Sequence, residues 1–127
     1  MSQTSHLSQL TADRLAVATT LGIAAAIMFL SLLPHEATPD APGSDKLHHF
    51  VAYAAFAFPI CAVRPRAALW MVPLAAAFGG AIELIQPHFG RHPDWGDFIA
   101  NATGATIGAA LAWAGHRVLL RRLLRAR

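Results

Sequence analysis

Residues 16–33, AVATTLGIAAAIMFLSLL, form an apolar run of eighteen residues without a charged side chain. A helix needs about twenty mostly apolar residues to cross a ~30 Å hydrocarbon layer, because it rises about 1.5 Å per residue. A cleaved signal peptide has a shorter apolar core that ends near an Ala-x-Ala site, and the residues that follow here, PHEATPDAPG, contain no such site. The run therefore predicts a retained transmembrane helix.

The composition of the whole chain is typical of a membrane protein. Hydrophobic residues make up 55% of the 127 residues, and charged residues make up only 13%. Three further apolar runs follow, and none of them alternates with the period of two that a half-buried strand requires. Because a backbone in lipid must satisfy its own hydrogen bonds, helices are expected. The sequence thus predicts one all-α domain over 1–127, an integral membrane bundle of four transmembrane helices at about 16–33, 47–63, 67–86 and 98–120.

The basic residues predict the orientation of this bundle. One side of the membrane carries eight of the ten Lys and Arg residues, namely Arg14, Arg64, Arg66, Arg117, Arg121, Arg122, Arg125 and Arg127. The other side carries only Lys46 and Arg91. Since positive charge favours the cytoplasmic side, both termini should be cytoplasmic in a bacterial inner membrane. The net charge of +3 comes from these anchoring residues, so we expect no nucleic-acid partner.

Short local patterns predict how the helices pack. Gly104 and Gly108 form a Gly-x-x-x-Gly pattern, which lets two helix backbones approach closely in lipid. The tight connection RPR at 64–66 predicts that the second and third helices are antiparallel neighbours. The tail at 117–127, RVLLRRLLRAR, predicts an interfacial helix or a frayed end that lies on anionic lipid.

Polar side chains gather at the outer ends of three predicted helices. They are Asp45, Lys46, His48 and His49 at the start of the second helix, Glu83 and Gln86 at the end of the third, and Asp94, Asp97 and Asn101 at the start of the fourth. Asp45 and Asp94 are candidate N-caps, and Asp97 has the spacing of a capping box with Asp94. Pro87 should close the third helix.

Glu83 is the residue that demands an explanation, because it follows a long apolar stretch. An ionised carboxylate at such a depth is costly unless it is paired, so Arg91 or a protonated His49 is its expected counter-ion. We expect one outer polar pocket in which Glu83 is the most buried acid, formed by Glu83, His49, Arg91, Asp97 and Asn101.

Two segments, DKLHHFVAY at 45–53 and ELIQPHFGRHPDWGDFIANATGATIG at 83–108, together resemble the VanZ-like family of small polytopic membrane proteins. The family pattern falls here on Asp45, Lys46, His49, Phe50, Glu83, Gln86, Arg91, Asp94, Trp95, Asp97, Asn101, Gly104 and Gly108. The resemblance covers the second to fourth predicted helices. It implies an envelope protein associated with low-level resistance to the glycopeptide teicoplanin, and it implies no particular reaction.

Several functions remain open at this point. The preferred hypothesis is a pocket that binds an envelope or lipid-linked ligand through Asp45, Lys46, His49, Glu83, Gln86, Arg91, Asp94, Asp97 and Asn101. One alternative is a membrane enzyme that acts on a lipid or cell-wall precursor headgroup, with Glu83, His49 and Asp97 as the candidate acids or bases. The chain has no Ser-x-x-Lys or Gly-x-Ser-x-Gly nucleophile motif. Another alternative is a purely structural polar cluster.

A metal site is a weaker alternative. It would be built from His49, Glu83, Asp94 and Asp97, but collections of acidic residues and histidines near membrane surfaces are common. We expect no bound metal and no cofactor. The expected partners are membrane lipids and a lipid-linked envelope ligand, and the sequence leaves oligomerisation open.

Overall fold

The computed structural model describes residues 3–34 and 44–125, and nearly all of them are helical. The four α-helices are α1 (Gln3–Leu32), α2 (Asp45–Val63), α3 (Ala68–Ile85) and α4 (Trp95–Arg125). Short 3-10 helices at Pro65–Ala67 and Gln86–Phe89 follow α2 and α3, and the described ranges contain no strand. The predicted all-α fold is confirmed.

Two observed helix ends differ from the predicted spans. α1 begins at Gln3 instead of residue 16, because a helix that has left the hydrocarbon layer tolerates polar residues such as Asp13 and Arg14. α4 continues without a break through the basic tail to Arg125, so the tail is helical and is not frayed in that range. α3 ends at Ile85, just before Pro87 as predicted, and the chain passes through Pro87 as a 3-10 helix.

Three stretches are long and apolar enough to cross a membrane, at His6–Leu32, Asp45–Val63 and Pro65–Phe89. They identify the chain as a membrane protein. Within the described residues, no stretch of α4 is as apolar as these three, because Asn101, Thr103 and Thr106 interrupt its apolar residues. The helix is nonetheless the main packing partner of α2.

The two glycines of α4 bring its backbone against α2. A Cβ added at Gly104 would run into the backbone carbonyl of Phe50, and one added at Gly108 would run into that of Ala54. Ala105, Ala109 and Ala112 are buried beside them. The predicted packing role of the glycines is confirmed, and α2 is the helix they meet. The predicted contact between α2 and α3 exists but is much smaller than the contact of α2 with α4.

An aromatic and aliphatic core fills the space between the helices. Tyr53 and Phe56 of α2 contact each other edge to face at 6.0 Å between ring centroids, and both contact Phe78 of α3. Met71 and Cys61 are fully buried in the same core. α1 packs mainly on α2. Tyr53 lies one helical turn from His49, so the core extends directly to the polar residues at the start of α2.

Candidate functional site

Helix α2 begins with a serine cap. The Ser44 hydroxyl accepts a hydrogen bond from the backbone N–H of Leu47 at 3.2 Å, which satisfies one of the free donors in the first turn. The prediction that Asp45 caps this helix was wrong, because Ser44 takes that position. Asp45 is instead the first helical residue, and its exposed carboxylate lies near the positive end of the helix dipole.

Asp94 precedes α4 as its N-cap, as predicted, but a different residue completes the cap. The Asp94 carboxylate accepts from the N–H of Gly96 at 2.7 Å. In a capping box, Asp97 would in turn accept from the N–H of Asp94. Here that N–H donates to Oε2 of Glu83 at 2.8 Å. The Glu83 carboxylate, from the end of α3, therefore accepts the hydrogen bond that Asp97 was expected to accept.

Since Asp97 is released from capping, its side chain turns towards α2. Lys46 Nζ lies 2.6 Å from Asp94 Oδ2 and 3.4 Å from Asp97 Oδ1, so one ammonium bridges both carboxylates. The hydrogen bond from Lys46, together with the Gly96 N–H, lowers the pKa of Asp94 below its ordinary value. His49 Nε2 lies 3.6 Å from the other oxygen of Asp97.

His49 bridges Asp97 and Asn101. Its Nδ1 lies 3.0 Å from Oδ1 of Asn101, and Asn101 is almost completely buried. Its Nε2 faces the Asp97 carboxylate, so the two ring nitrogens contact two different side chains of α4. His49 therefore joins α2 to two successive turns of α4.

Glu83 is the most buried acid in the described residues, with 7% of its surface exposed against 8% for Asp97. Its Oε1 atom is buried and has no hydrogen-bond partner among the residues described. An unsatisfied buried acceptor costs about 1–3 kcal/mol. Neither Arg91 nor His49 forms a direct ion pair with it among the described residues.

Arg91 follows a left-handed turn and contacts the end of α1. Gly90 has φ 72°, the left-handed conformation that glycine adopts without strain, and it ends the second 3-10 helix. Arg91 then donates to the carbonyl of Leu33 at 3.4 Å. Gln86 is buried and donates to the carbonyl of Ser31 at 3.1 Å. Both side chains thus bind carbonyls at the end of α1, which have no partner within the helix.

A cavity of about 420 Å³ lies between α1 and α2, beside the polar residues at the start of α2. Apolar side chains of both helices form its walls, among them Ile23, Ile27, Leu30 and Ala52. Polar residues line it as well, namely Ser31, Asp45, His48, His49, Tyr53 and Arg91. Among the predicted ligand-binding residues, only Asp45, His49 and Arg91 line this cavity. Lys46, Glu83, Gln86, Asp94, Asp97 and Asn101 do not line it.

One feature of the cavity was missed from the sequence. The apolar wall from α1 was missed because that helix carries no motif residue. Tyr53 lies four residues after His49 and on the same helix face, as this spacing predicts, although it was not among the predicted ligand-binding residues.

A different set of residues from the predicted metal site comes together. Asp45, His49 and Asp97 each offer a donor atom within 4.8 Å of the other two. Glu83 and Asp94 are not part of this group. The ammonium of Lys46 already contacts Asp97 and would oppose a cation there.

The predicted convergence therefore has two parts. His49, Asp97 and Asn101 meet directly, and Glu83 joins them through the backbone of Asp94. Arg91 lies on the other side, between the cavity and the end of α1.

Comparison with known proteins places this arrangement in a family. Searches of curated proteins and of solved structures returned no match for the chain. The family model described as VanZ/LLP1 matches residues 9–120, which include the capped start of α4, the Lys46 and His49 contacts and both packing glycines. With nearly all of its length matched, the chain belongs to the VanZ/LLP1 family.

Proposed function

We propose that this protein crosses the bacterial inner membrane with four helices and both termini in the cytoplasm, and that the α1–α2 cavity opens outward to bind an envelope or lipid-linked amphiphile. The orientation is supported by the excess of arginine at the ends opposite the polar cluster.

The composition of the cavity wall is the observation that carries the proposal. An amphiphile has an apolar chain and a polar head, and the cavity offers an apolar wall beside a polar end. Its volume of about 420 Å³ lies within the range of about 300–1,000 Å³ that is usual for small-molecule sites. Arg91 donates one hydrogen bond to the Leu33 carbonyl, so the remaining guanidinium donors suit an anionic head.

A purely structural cluster is the second candidate, and specific contacts favour it for some of the residues. Glu83 and Asp94 cap α4, while Gln86 binds the end of α1. These three side chains are accounted for without any ligand. The ligand-binding role is therefore proposed for the cavity residues Asp45, His49, Tyr53 and Arg91, with the other cluster residues fixing the helix ends that carry them.

The enzyme alternative receives less support. Of the three candidate acids and bases, only His49 lines the cavity, while Glu83 and Asp97 are buried behind it. Acid–base catalysis requires the group to reach the substrate within hydrogen-bonding distance. A substrate in this cavity would meet one candidate instead of a pair.

The test compares two neighbouring alanines of α1. Ala26→Phe would fill the cavity from its wall, whereas Ala25→Phe changes an exposed residue outside the cavity by the same amount. The wild-type protein should raise the teicoplanin concentration that inhibits an expressing host. We expect Ala26→Phe to abolish this effect at unchanged membrane abundance and Ala25→Phe to retain it.

The outcomes separate the hypotheses. If both variants retain full resistance at normal abundance, the cavity is not the working site. Loss in both variants, in proportion to lower abundance, would support the structural alternative. A wild-type protein that leaves susceptibility unchanged would refute the link to teicoplanin.

A further inference from the structure

We propose that a second cavity, at the opposite ends of α1 and α2, is a binding site for an anionic glycerophospholipid. The cavity has a volume of about 460 Å³ and lies between α1 and the connection from α2 to α3. Its apolar wall includes Ala16, Val17, Ile60 and Val63. Its charged and aromatic lining consists of Asp13, Arg64, Arg66 and Trp70. None of these four residues belongs to the polar cluster, so the site is separate from the α1–α2 cavity described above.

The net charge of the cavity lining matches a ligand that carries one phosphodiester group. Nε of Arg64 donates to Asp13 at 3.0 Å and its Nη2 makes a second contact, so these two residues neutralise each other. Arg66 is exposed and forms no ion pair with the residues that the structure describes. The lining therefore carries one uncompensated positive charge, which matches the single negative charge of a phosphodiester. Arg64 uses only part of its guanidinium on Asp13, and its remaining N–H donors suit phosphate oxygens.

The position in the membrane favours a lipid over a soluble anion. α2 has 19 residues and is thus about 28 Å long, close to the thickness of the hydrocarbon layer. Since His49 and Asp97 lie at one end of it, Arg64 lies near the opposite membrane surface. Trp70 is half exposed beside the cavity, as expected for an aromatic residue at the headgroup level. A lipid can place its phosphate on the arginines and an acyl chain on the apolar wall, whereas free phosphate would use only the arginines.

Native mass spectrometry of the purified full chain in detergent tests the proposal. The probes are phosphatidylglycerol, phosphatidylcholine and inorganic phosphate, each titrated separately. Arg66→Gln removes the uncompensated charge, and Arg121→Gln is the matched control, because it changes the net charge equally at an exposed position outside the cavity. We expect Arg66→Gln to weaken phosphatidylglycerol binding about tenfold, the effect of losing one charge-assisted hydrogen bond. The control should bind like the wild type.

A second pair of variants tests the apolar wall. Val17→Trp would fill the cavity, and Val51→Trp adds the same volume at an exposed valine that lines neither cavity. Val17→Trp should lose the bound phosphatidylglycerol, and Val51→Trp should keep it. Both variants should retain the thermal unfolding temperature of the wild type.

Three results would overturn the proposal. Equal phosphatidylglycerol affinity in Arg66→Gln and Arg121→Gln would show that the arginine does not recognise the lipid. Equal binding of phosphatidylcholine by the wild type would show that the site does not select an anionic head. Competition by inorganic phosphate at the lipid's own concentration would assign the site to a soluble anion.

Discussion

Four glycine-to-alanine substitutions should divide into two groups with opposite effects on stability. In a helix, alanine is better than glycine by about 0.8–1.0 kcal/mol when the new methyl group meets nothing. No atom lies within 4 Å of a Cβ built at Gly22 or Gly115, so Gly22→Ala and Gly115→Ala should raise the free energy of unfolding. A Cβ at Gly104 or Gly108 would instead fall on a backbone carbonyl of α2.

The size of the destabilisation depends on whether the atoms that the new methyl group meets can move. A carbon and a carbonyl oxygen normally approach no closer than about 3.3 Å, and the built Cβ positions at Gly104 and Gly108 lie well inside that limit. The obstacle is backbone, so no side chain can rotate away and α4 must move off α2. Overpacking of this kind costs about 1–3 kcal/mol, which exceeds the gain in helix propensity. Gly104→Ala and Gly108→Ala should therefore lower the free energy of unfolding.

Unfolding in mixed detergent micelles, followed by tryptophan fluorescence, measures all four variants under one condition. The comparison of Gly108→Ala with Gly115→Ala is the sharpest, because both positions lie in α4 and receive the same single methyl group. The reasoning would be refuted if both substitutions changed stability in the same direction. Equal stabilisation would mean that α2 and α4 do not approach as closely as their backbones indicate.

Three further outcomes follow from the polar cluster and the charge distribution. Glu83→Gln keeps an acceptor for the Asp94 N–H and should change the free energy of unfolding little. Glu83→Leu leaves that donor unpaired and should lower the free energy of unfolding by about 1–3 kcal/mol. Equal losses in the two variants would argue against the cap. The pKa of Asp94 is lowered in the folded state, so its contribution to stability is present above its ordinary value of 3.8 and is lost as the pH falls through the lower folded value. The melting temperatures of wild type and Asp94→Asn should accordingly differ at neutral pH and converge in acid, and a constant difference would contradict this linkage. A reporter that is active only in the periplasm, fused to the C-terminus, should give no signal, while the same reporter inserted after Gly90 should be active; the reverse pattern would invert the proposed orientation.

The sequence predicted the helices well, because apolar runs and charged flanks report directly on the need to satisfy a backbone in lipid. It placed the start of α1 too late, since hydropathy marks where a helix enters lipid and carries no information on how far the helix continues in water. Gly104 and Gly108 were found from their spacing alone.

The details of the site required tertiary contacts. Spacing alone made Asp97 the partner of the Asp94 N–H, but Glu83 from another helix occupies that position and Asp97 turns to Lys46 and His49. Arg91 was expected beside Glu83 because both are charged and close in sequence. The left-handed turn at Gly90 sends it to the end of α1 instead. When such a turn lies between two residues that are close in sequence, their closeness does not determine where the second side chain lies.

The bond between Glu83 and the Asp94 N–H also has a consequence for the order of synthesis. The ribosome makes Glu83 eleven residues before Asp94, so the acceptor exists before the donor that it will bind. During that interval the carboxylate lies at the end of an apolar helix without the hydrogen bond from the Asp94 N–H. Arrival of Asp94 supplies this bond and at the same moment fixes the first turn of α4 against the end of α3. Biogenesis of the second half of the chain is therefore expected to proceed as one hairpin, with α3 reaching its final depth only when α4 has begun to form.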